Sequence, residues 1–230
     1  MLDLVLVLAI FGLFVLSIVI HEFAHGYVAW RCGDPTAKEL GRLTLNPLVH
    51  LDPVFSLLLP ALSYWTLGFP FGAAKPIPVR VGRLRHPVAD DIKVTIAGPL
   101  SNFAIAIGLA LVMLLPIFGD GGAQNGWILV LGMTVYLNLL LGLFNLLPIP
   151  PLDGSFILAH ALPQPIRSAY RSVGSFGMVL LLLILIGVPE ASRYLLDGIA
   201  AIWSFLGHPV DLMVDIFIRF RGLKDSIFQG

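Results

Sequence analysis

Residues 21–25 read His-Glu-Phe-Ala-His. On a helix, positions i and i+4 share a face, so His21 and His25 can reach one metal ion together. Glu22 then stands beside them, placed to take a proton from a water activated there. With six histidines and three glutamates in 230 residues, chance would produce this pattern about 0.002 times, so the spacing carries information. The competing interpretation is a polar helix end snorkelling to a membrane surface.

Two histidines do not complete a catalytic zinc site, which takes three protein ligands and keeps one position open. The third has to be Asp, Glu or His from elsewhere in the apolar part of the chain. His50 and His86 sit among charged loop residues, His208 lies near a weakly apolar stretch, and Glu190 falls on the opposite side of the expected membrane topology. Asp153 is the best candidate. It follows a 32-residue uncharged run, in Asn145-Leu-Leu-Pro-Ile-Pro-Pro-Leu-Asp153-Gly154, where the prolines must end the helix. Its alternative role is to cap a short helix over 154–161. His160, seven residues on, is either a supporting partner or a plain core histidine.

The elements that position these residues are membrane spans. The chain is 57% hydrophobic and only 12% charged, about half the charge of a typical soluble domain. No net charge leaves no basic footprint for nucleic acid, and one cysteine, Cys32, excludes a disulfide framework. Residues 4–20 carry no charge and lack the basic start of a signal peptide, so they read as a retained transmembrane helix that continues into the histidine motif. At 1.5 Å per residue, His21 lies roughly 25 Å along it, near one membrane face. The uncharged runs 94–118 and 121–152 are each long enough to span. Residues 172–189 supply a further span, and 191–207, interrupted by Asp197, a weaker one. Residues 210–220 set Asp211, Asp215 and Arg219 opposite Leu212, Met213, Ile216, Phe217 and Phe220, the pattern of an interfacial helix.

Residues 54–74 are uncharged but broken by Pro60, Gly68, Pro70 and Gly72. If they cross the membrane once, the fourteen Lys and Arg divide ten to four between the two sides. If the chain enters there and returns, thirteen lie on one side and Arg193 alone on the other. The second arrangement obeys the positive-inside rule far better. It places the N-terminus outside, the C-terminus in the cytosol and the histidine motif near the cytosolic face. It also makes 54–81 a re-entrant element, or a helix followed by a returning strand, and non-helical backbone at that depth must line water or be buried in protein. In Lys75-Pro-Ile-Pro-Val-Arg-Val81, Pro76 and Pro78 remove the donors of one strand edge. Ile77, Val79 and Val81 keep theirs on the other, where a substrate strand could be added. A hairpin satisfied within the protein is the alternative.

Taken in order, the motifs resemble the site-2 protease family of zinc intramembrane metalloproteases. His-Glu-Phe-Ala-His ends a first transmembrane helix, and Asn145-x-x-Pro-x-Pro-x-Leu-Asp153-Gly154 closes a later one. Ala97-Gly98-Pro99-Leu100-Ser101-Asn102 resembles the family's middle core helix. Gly33-Asp34-Pro35-Thr36-Ala37, Leu45-Asn46-Pro47 and Ala74-Lys75-Pro76-Ile77-Pro78-Val79 resemble its compact subgroup, which has neither a PDZ nor a CBS domain. The likeness covers about residues 1–160 and departs over 51–71, an apolar segment many members lack.

The resemblance implies that His21, His25 and Asp153 bind one Zn2+ per chain, that Glu22 is the general base and that Asn145 helps stabilise the oxyanion. Gly98, Pro99 and Asn102 become structural or cavity-lining positions, and Ile77, Val79 and Val81 the substrate-binding edge. The expected molecule is an all-α polytopic membrane protein of one domain, 1–230, with its core in 1–160 and C-terminal helices in 161–230. A three-helix catalytic core is joined by two to three further spanning or re-entrant segments and the short re-entrant strand or hairpin. It sits multi-pass in the inner or plasma membrane and hydrolyses peptide bonds within or near transmembrane segments of other proteins. A second copy or a regulatory membrane protein is a possible partner, and nucleic acid is not. The alternative function is a non-proteolytic membrane metal-binding or scaffold protein.

Overall fold

A computed structural model of the chain describes residues 2–50, 52, 58, 75–118, 122–174, 176–177, 183 and 187–228. Helix α1 runs Leu2–Arg31, followed by the single turn α2, Thr36–Glu39. Helix α3 is Pro87–Met113, α4 is Gly126–Asn145, α5 is Asp153–Ala161 and α6 is Ile166–Ser172. Helices α7, Pro189–Phe205, and α8, Val210–Phe228, close the described chain. Three of these, α1, α3 and α4, are long and apolar enough to cross a membrane. Residues 192–205 and 210–223 together pass the same test but bend by 119° at the break between them. The protein is thus a polytopic helical membrane protein.

Half of the expected span over 172–189 lies outside the described residues, as does most of the expected re-entrant element, residues 54–57 and 59–74. Among the described residues no β-strand forms. Residues 75–80 form neither helix nor strand ladder, because Pro76 and Pro78 offer no N–H and the Ile77 and Arg80 donors turn to side chains.

Local chemistry explains where the helices stop. Helix α1 ends in a Schellman turn: Gly33 N–H reaches Trp30 O at 3.1 Å and Asp34 N–H reaches Ala29 O at 2.9 Å. That turn needs the left-handed backbone of Gly33, at φ 112°. Pro87 opens α3 from the first position, where a missing N–H costs nothing. Asn125 caps α4 by accepting the Trp127 N–H at 2.9 Å. Asn145 ends α4 three residues before Pro148, which is where the proline-rich run forbids continuation.

The chain forms two compact units, and the division falls inside α1 and α3. The first unit comprises Met1–Phe14 and Pro99–Gly230. Its core centres on α4, whose Leu129, Val135 and Leu139 are fully buried with Ala106 and Ala110 of α3 and Ile199 and Trp203 of α7. Helix α8, expected at the membrane interface, buries Ile216 against protein and leaves Phe217 and Ile218 exposed. A Cβ at Gly132 of α4 would stand 2.3 Å from Ile216 Cδ1, so the glycine is what lets α8 approach. Leu212, Met213 and Phe220 line the same core. The second unit is Val15–Gly98, with a small core of Ala29, Leu84 and Val94 against which Val79 and Val81 pack.

Candidate metal centre

His21 and His25 are both buried, and their Nε2 atoms stand 3.1 Å apart. The rings meet edge to face, with centroids 4.7 Å apart, so one nitrogen of each converges on a single point, as the helical spacing requires. The second nitrogen of His25 has a fixed job. Its Nδ1 lies 2.7 Å from Val94 O on α3, and a carbonyl only accepts, so Nδ1 carries the proton. Nε2 of His25 is left with a lone pair, the state a metal ligand needs, and the ring cannot rotate away.

The opening in front of these nitrogens is made by an absence. A Cβ on Gly98 would fall 2.3 Å from His25 Nε2 and 2.6 Å from His21 Nε2. Any side chain there would fill the place toward which both imidazoles point. Two convergent imidazole nitrogens, one with its tautomer set by a carbonyl, beside a cradle kept clear by glycine, fit a zinc ion.

Glu22 is half-buried between the histidines in sequence, and its Oε2 accepts the Ile77 N–H at 2.9 Å. Ile77 reaches this far because Gly26, one helical turn beyond Glu22, has no side chain. A Cβ there would lie 2.7 Å from Ile77 Cδ1. Of the three residues expected to form a free edge, Ile77 therefore gives its N–H to Glu22. Val81 gives its carbonyl to the Leu84 N–H at 3.2 Å, within a single turn over Val81–Arg83. Val79 is half-buried against the small core.

In the other unit, Asp153 opens α5, with Leu152 and not Asp153 in the capping position. The Asp153 side chain is half-buried and its Oδ2 is shielded from solvent. Gly154 holds this turn against the end of α4: its Cβ would meet Leu146 O at 2.1 Å. Asn145 ends α4 with Nδ2 donating to Leu141 O at 3.0 Å. Asn102 is fully buried and donates through Nδ2 to Asn138 Oδ1 at 3.0 Å, and Asn138 donates in turn to Thr134 O at 2.9 Å. Pro99 is buried beside them in sequence on α3. His160 is half-buried on α5.

The other candidate ligands serve elsewhere. His50 Nε2 donates to Thr44 O at 2.9 Å in its own loop, and His208 Nε2 to Ala110 O at 2.9 Å, at the break between α7 and α8. Among the described residues, neither these nor His86 and Glu190 belong to a cluster of metal-ligating atoms. Sequence reasoning passed over Gly26, Val94 and Asn138. Asn138 could have been found as the amide in the middle of an uncharged run; Val94 acts through its backbone and leaves no mark on residue type.

The model of peptidase family M50 matches residues 117–185. The chain is 39% identical to YwhC of Bacillus subtilis, a protein named as a zinc metalloprotease, over 88% of each chain. It is 34% identical to Rip2 of Mycolicibacterium smegmatis, likewise so named, over 88% of this chain and 75% of the relative. It is 30% identical to the zinc metalloprotease MJ0392 of Methanocaldococcus jannaschii over 67% of this chain and 34% of that one. No solved structure matches the chain. Identity of this extent along nearly the whole of a relative shows that the chain belongs to peptidase family M50, the site-2 protease family.

Proposed function

We propose that His21, His25 and Asp153 hold the zinc of this enzyme, that Glu22 is its general base and that Asn145 opposes the oxyanion. Membership of the family makes the chain a zinc-dependent intramembrane endopeptidase. What supports the residue assignment most is the meeting of the His21 and His25 nitrogens, 3.1 Å apart, over the clear space at Gly98. Asp153 adds an anionic oxygen shielded from solvent, the ligand type that completes a two-histidine zinc site. When bound, zinc polarises the scissile carbonyl and makes a nucleophile of water at neutral pH.

The chain's own residues do the rest. Glu22 keeps one carboxylate oxygen outside its bond to Ile77, and that oxygen takes the proton of the attacking water and hands it to the leaving amine. Asn145 carries two amide hydrogens. One is spent on Leu141 O, and the other is available to the negative oxygen that develops at the scissile carbonyl. The apolar helices exclude bulk water from this chemistry.

The substrates are membrane proteins. A transmembrane helix hides its peptide bonds in its own hydrogen bonds, so the segment to be cut must unwind. Residues 75–81 receive it as an added strand. Val79 contributes its N–H, and Ile77 and Val81 shape the edge by packing. A lone extended segment with no ladder of its own is what such pairing requires. The arginine and lysine distribution sets the N-terminus outside, the C-terminus in the cytosol and the histidine motif near the cytosolic face.

The deciding experiment compares cleavage of a transmembrane model substrate by wild type and Glu22→Gln, with zinc content measured in both. The expected result is full zinc and lost cleavage in the variant. Equal cleavage would reject Glu22 as the base, and no cleavage by either despite bound zinc would favour a scaffold.

A further inference from the structure

The segment 75–80 is held at both ends and once between them. At its start, Lys75 donates its N–H to His50 O at 2.8 Å, and its carbonyl accepts from the Arg42 guanidinium at 2.8 Å. Next comes the Ile77 N–H on Glu22. At its end, the Arg80 N–H donates to Asp34 Oδ2 at 2.6 Å.

Asp34 is an unusual residue to find in that place. It lies three positions beyond the last residue of α1 and is fully inaccessible to solvent. The partial negative charge of a helix C-terminus opposes a carboxylate there, and a buried anion is tolerated only with donors around it. It has three: Arg80 N–H, the Thr36 N–H at 3.0 Å and the Thr36 hydroxyl. Arg83 steadies that hydroxyl from 3.2 Å and pairs with Glu39 at 2.8 Å. Burial pushes the Asp34 carboxyl up, but its hydrogen bonds from Thr36 and Arg80 bring it below the usual carboxylate range. None of this is used by the reaction described above.

We infer that Asp34 is a positioning residue for Glu22, acting through Arg80 and Ile77. Even fully extended, three residues separate the two anchored N–H groups by no more than about 10 Å, and Pro78 between them has its φ locked. A shift at Arg80 is therefore passed on to Ile77 and not absorbed. Ile77 in turn selects one orientation of a glutamate that otherwise has three rotatable bonds to explore. The side chain of Ile77, seated over Gly26, keeps the segment flush with α1. Asp34 thus ties the far end of the helix that carries Glu22 to the segment that aims it. The inference rests on Glu22 being the general base.

The test uses the full-length protein in detergent, with a transmembrane model substrate and zinc content, kcat, KM and thermal midpoint all measured. Asp34→Asn keeps the shape but turns one acceptor into a donor. Arg80→Pro removes the N–H that Asp34 holds, and Arg80→Ala, which keeps that N–H, measures separately what loss of the guanidinium does. Asp34→Asn and Arg80→Pro are each expected to lower kcat on the order of 10- to 100-fold, the effect of misplacing a catalytic group by about 1 Å. KM should stay within a factor of about 2, with zinc content as in wild type and a thermal midpoint that, although lower in Asp34→Asn, stays above the assay temperature. The double variant should be no worse than either single one, because both cut the same link. Should Asp34→Asn fail to fold, Arg80→Pro decides the matter alone. Wild-type kcat in Arg80→Pro, or a loss confined to KM, would overturn the role. Glu22→Gln runs in parallel: if it cleaves as fast as wild type, the reading of Glu22 fails first and the inference falls with it.

Discussion

Ile77 donates its backbone N–H to Oε2 of Glu22 at 2.9 Å, across 55 residues of chain. The bond joins a segment chosen for its prolines to the acid of the histidine motif. It also changes what the segment is for. An edge expected to offer its donors to substrate gives one of them to the enzyme's own glutamate.

Ile77→Pro removes that N–H while leaving every acidic and zinc-binding side chain in place. Cleavage should fall about 10-fold through kcat, with zinc content unchanged, since a positioned base supplies a factor of 100 or more only when correctly aimed. Single-turnover rates at saturating substrate check this, and an unaltered rate would show that Glu22 needs no such support.

Val79→Pro makes the complementary cut. Val79 holds the N–H assigned to the substrate strand, so its loss should raise KM for transmembrane substrates severalfold, a missing hydrogen bond being worth about 1 kcal/mol. Cleavage equal to wild type at low substrate concentration, with folding intact, would remove the strand-addition proposal.

Gly98→Ala places a methyl group 2.3 and 2.6 Å from the two ring nitrogens. One of the histidines must turn aside, and zinc affinity is expected to drop about 10- to 100-fold, with cleavage following zinc occupancy. Competition with a chromophoric chelator measures the affinity. Wild-type affinity would mean that the space in front of the nitrogens is not where the metal is held.

Asn138→Leu withdraws the acceptor from the buried Asn102 amide and should cost about 0.5–2 kcal/mol, the range for polar contacts between membrane helices. Replacing both amides with leucine should recover part of the loss, because no buried polar group is then stranded. Unfolding in mixed micelles gives the comparison, and a single variant as stable as wild type would show that the pair does not fasten α3 to α4.

The Asp34 carboxyl sits below its ordinary range: burial alone would raise it, but its bonds from Thr36 and Arg80 outweigh that, with Arg83 adding its charge. A depressed folded value means that the unfolded chain takes the proton more readily. The stabilisation is therefore complete above about pH 4 and is lost as pH falls through the lower folded value. The thermal-midpoint gap between wild type and Asp34→Asn should close below about pH 4. Midpoints measured from pH 7 downward test it, and a gap that stays constant would contradict it.

Cys32, just past α1, is a poor candidate for reactivity. Burial and the charge of Asp90 push its thiol up, so little thiolate forms at neutral pH.

Much of this protein follows from residue type and spacing alone. Scarce charge and long apolar runs call for membrane helices, because backbone groups in lipid must bond within their own segment. Four-residue spacing puts His21 and His25 on one face, and the prolines from 148 onward end α4 before Asp153. These are local rules, and the chain obeys them wherever it folds. Contacts across the chain were a different matter. That Val94 O orients His25, that Gly98 clears the space before both imidazoles and that the Ile77 N–H turns to Glu22 depend on backbone atoms, which every residue has alike. Their choice of partner is made by packing. Helix α8 shows the same limit: its amphipathic pattern suited a lipid surface equally well, and only the gap at Gly132 decided that Ile216 would be buried against protein.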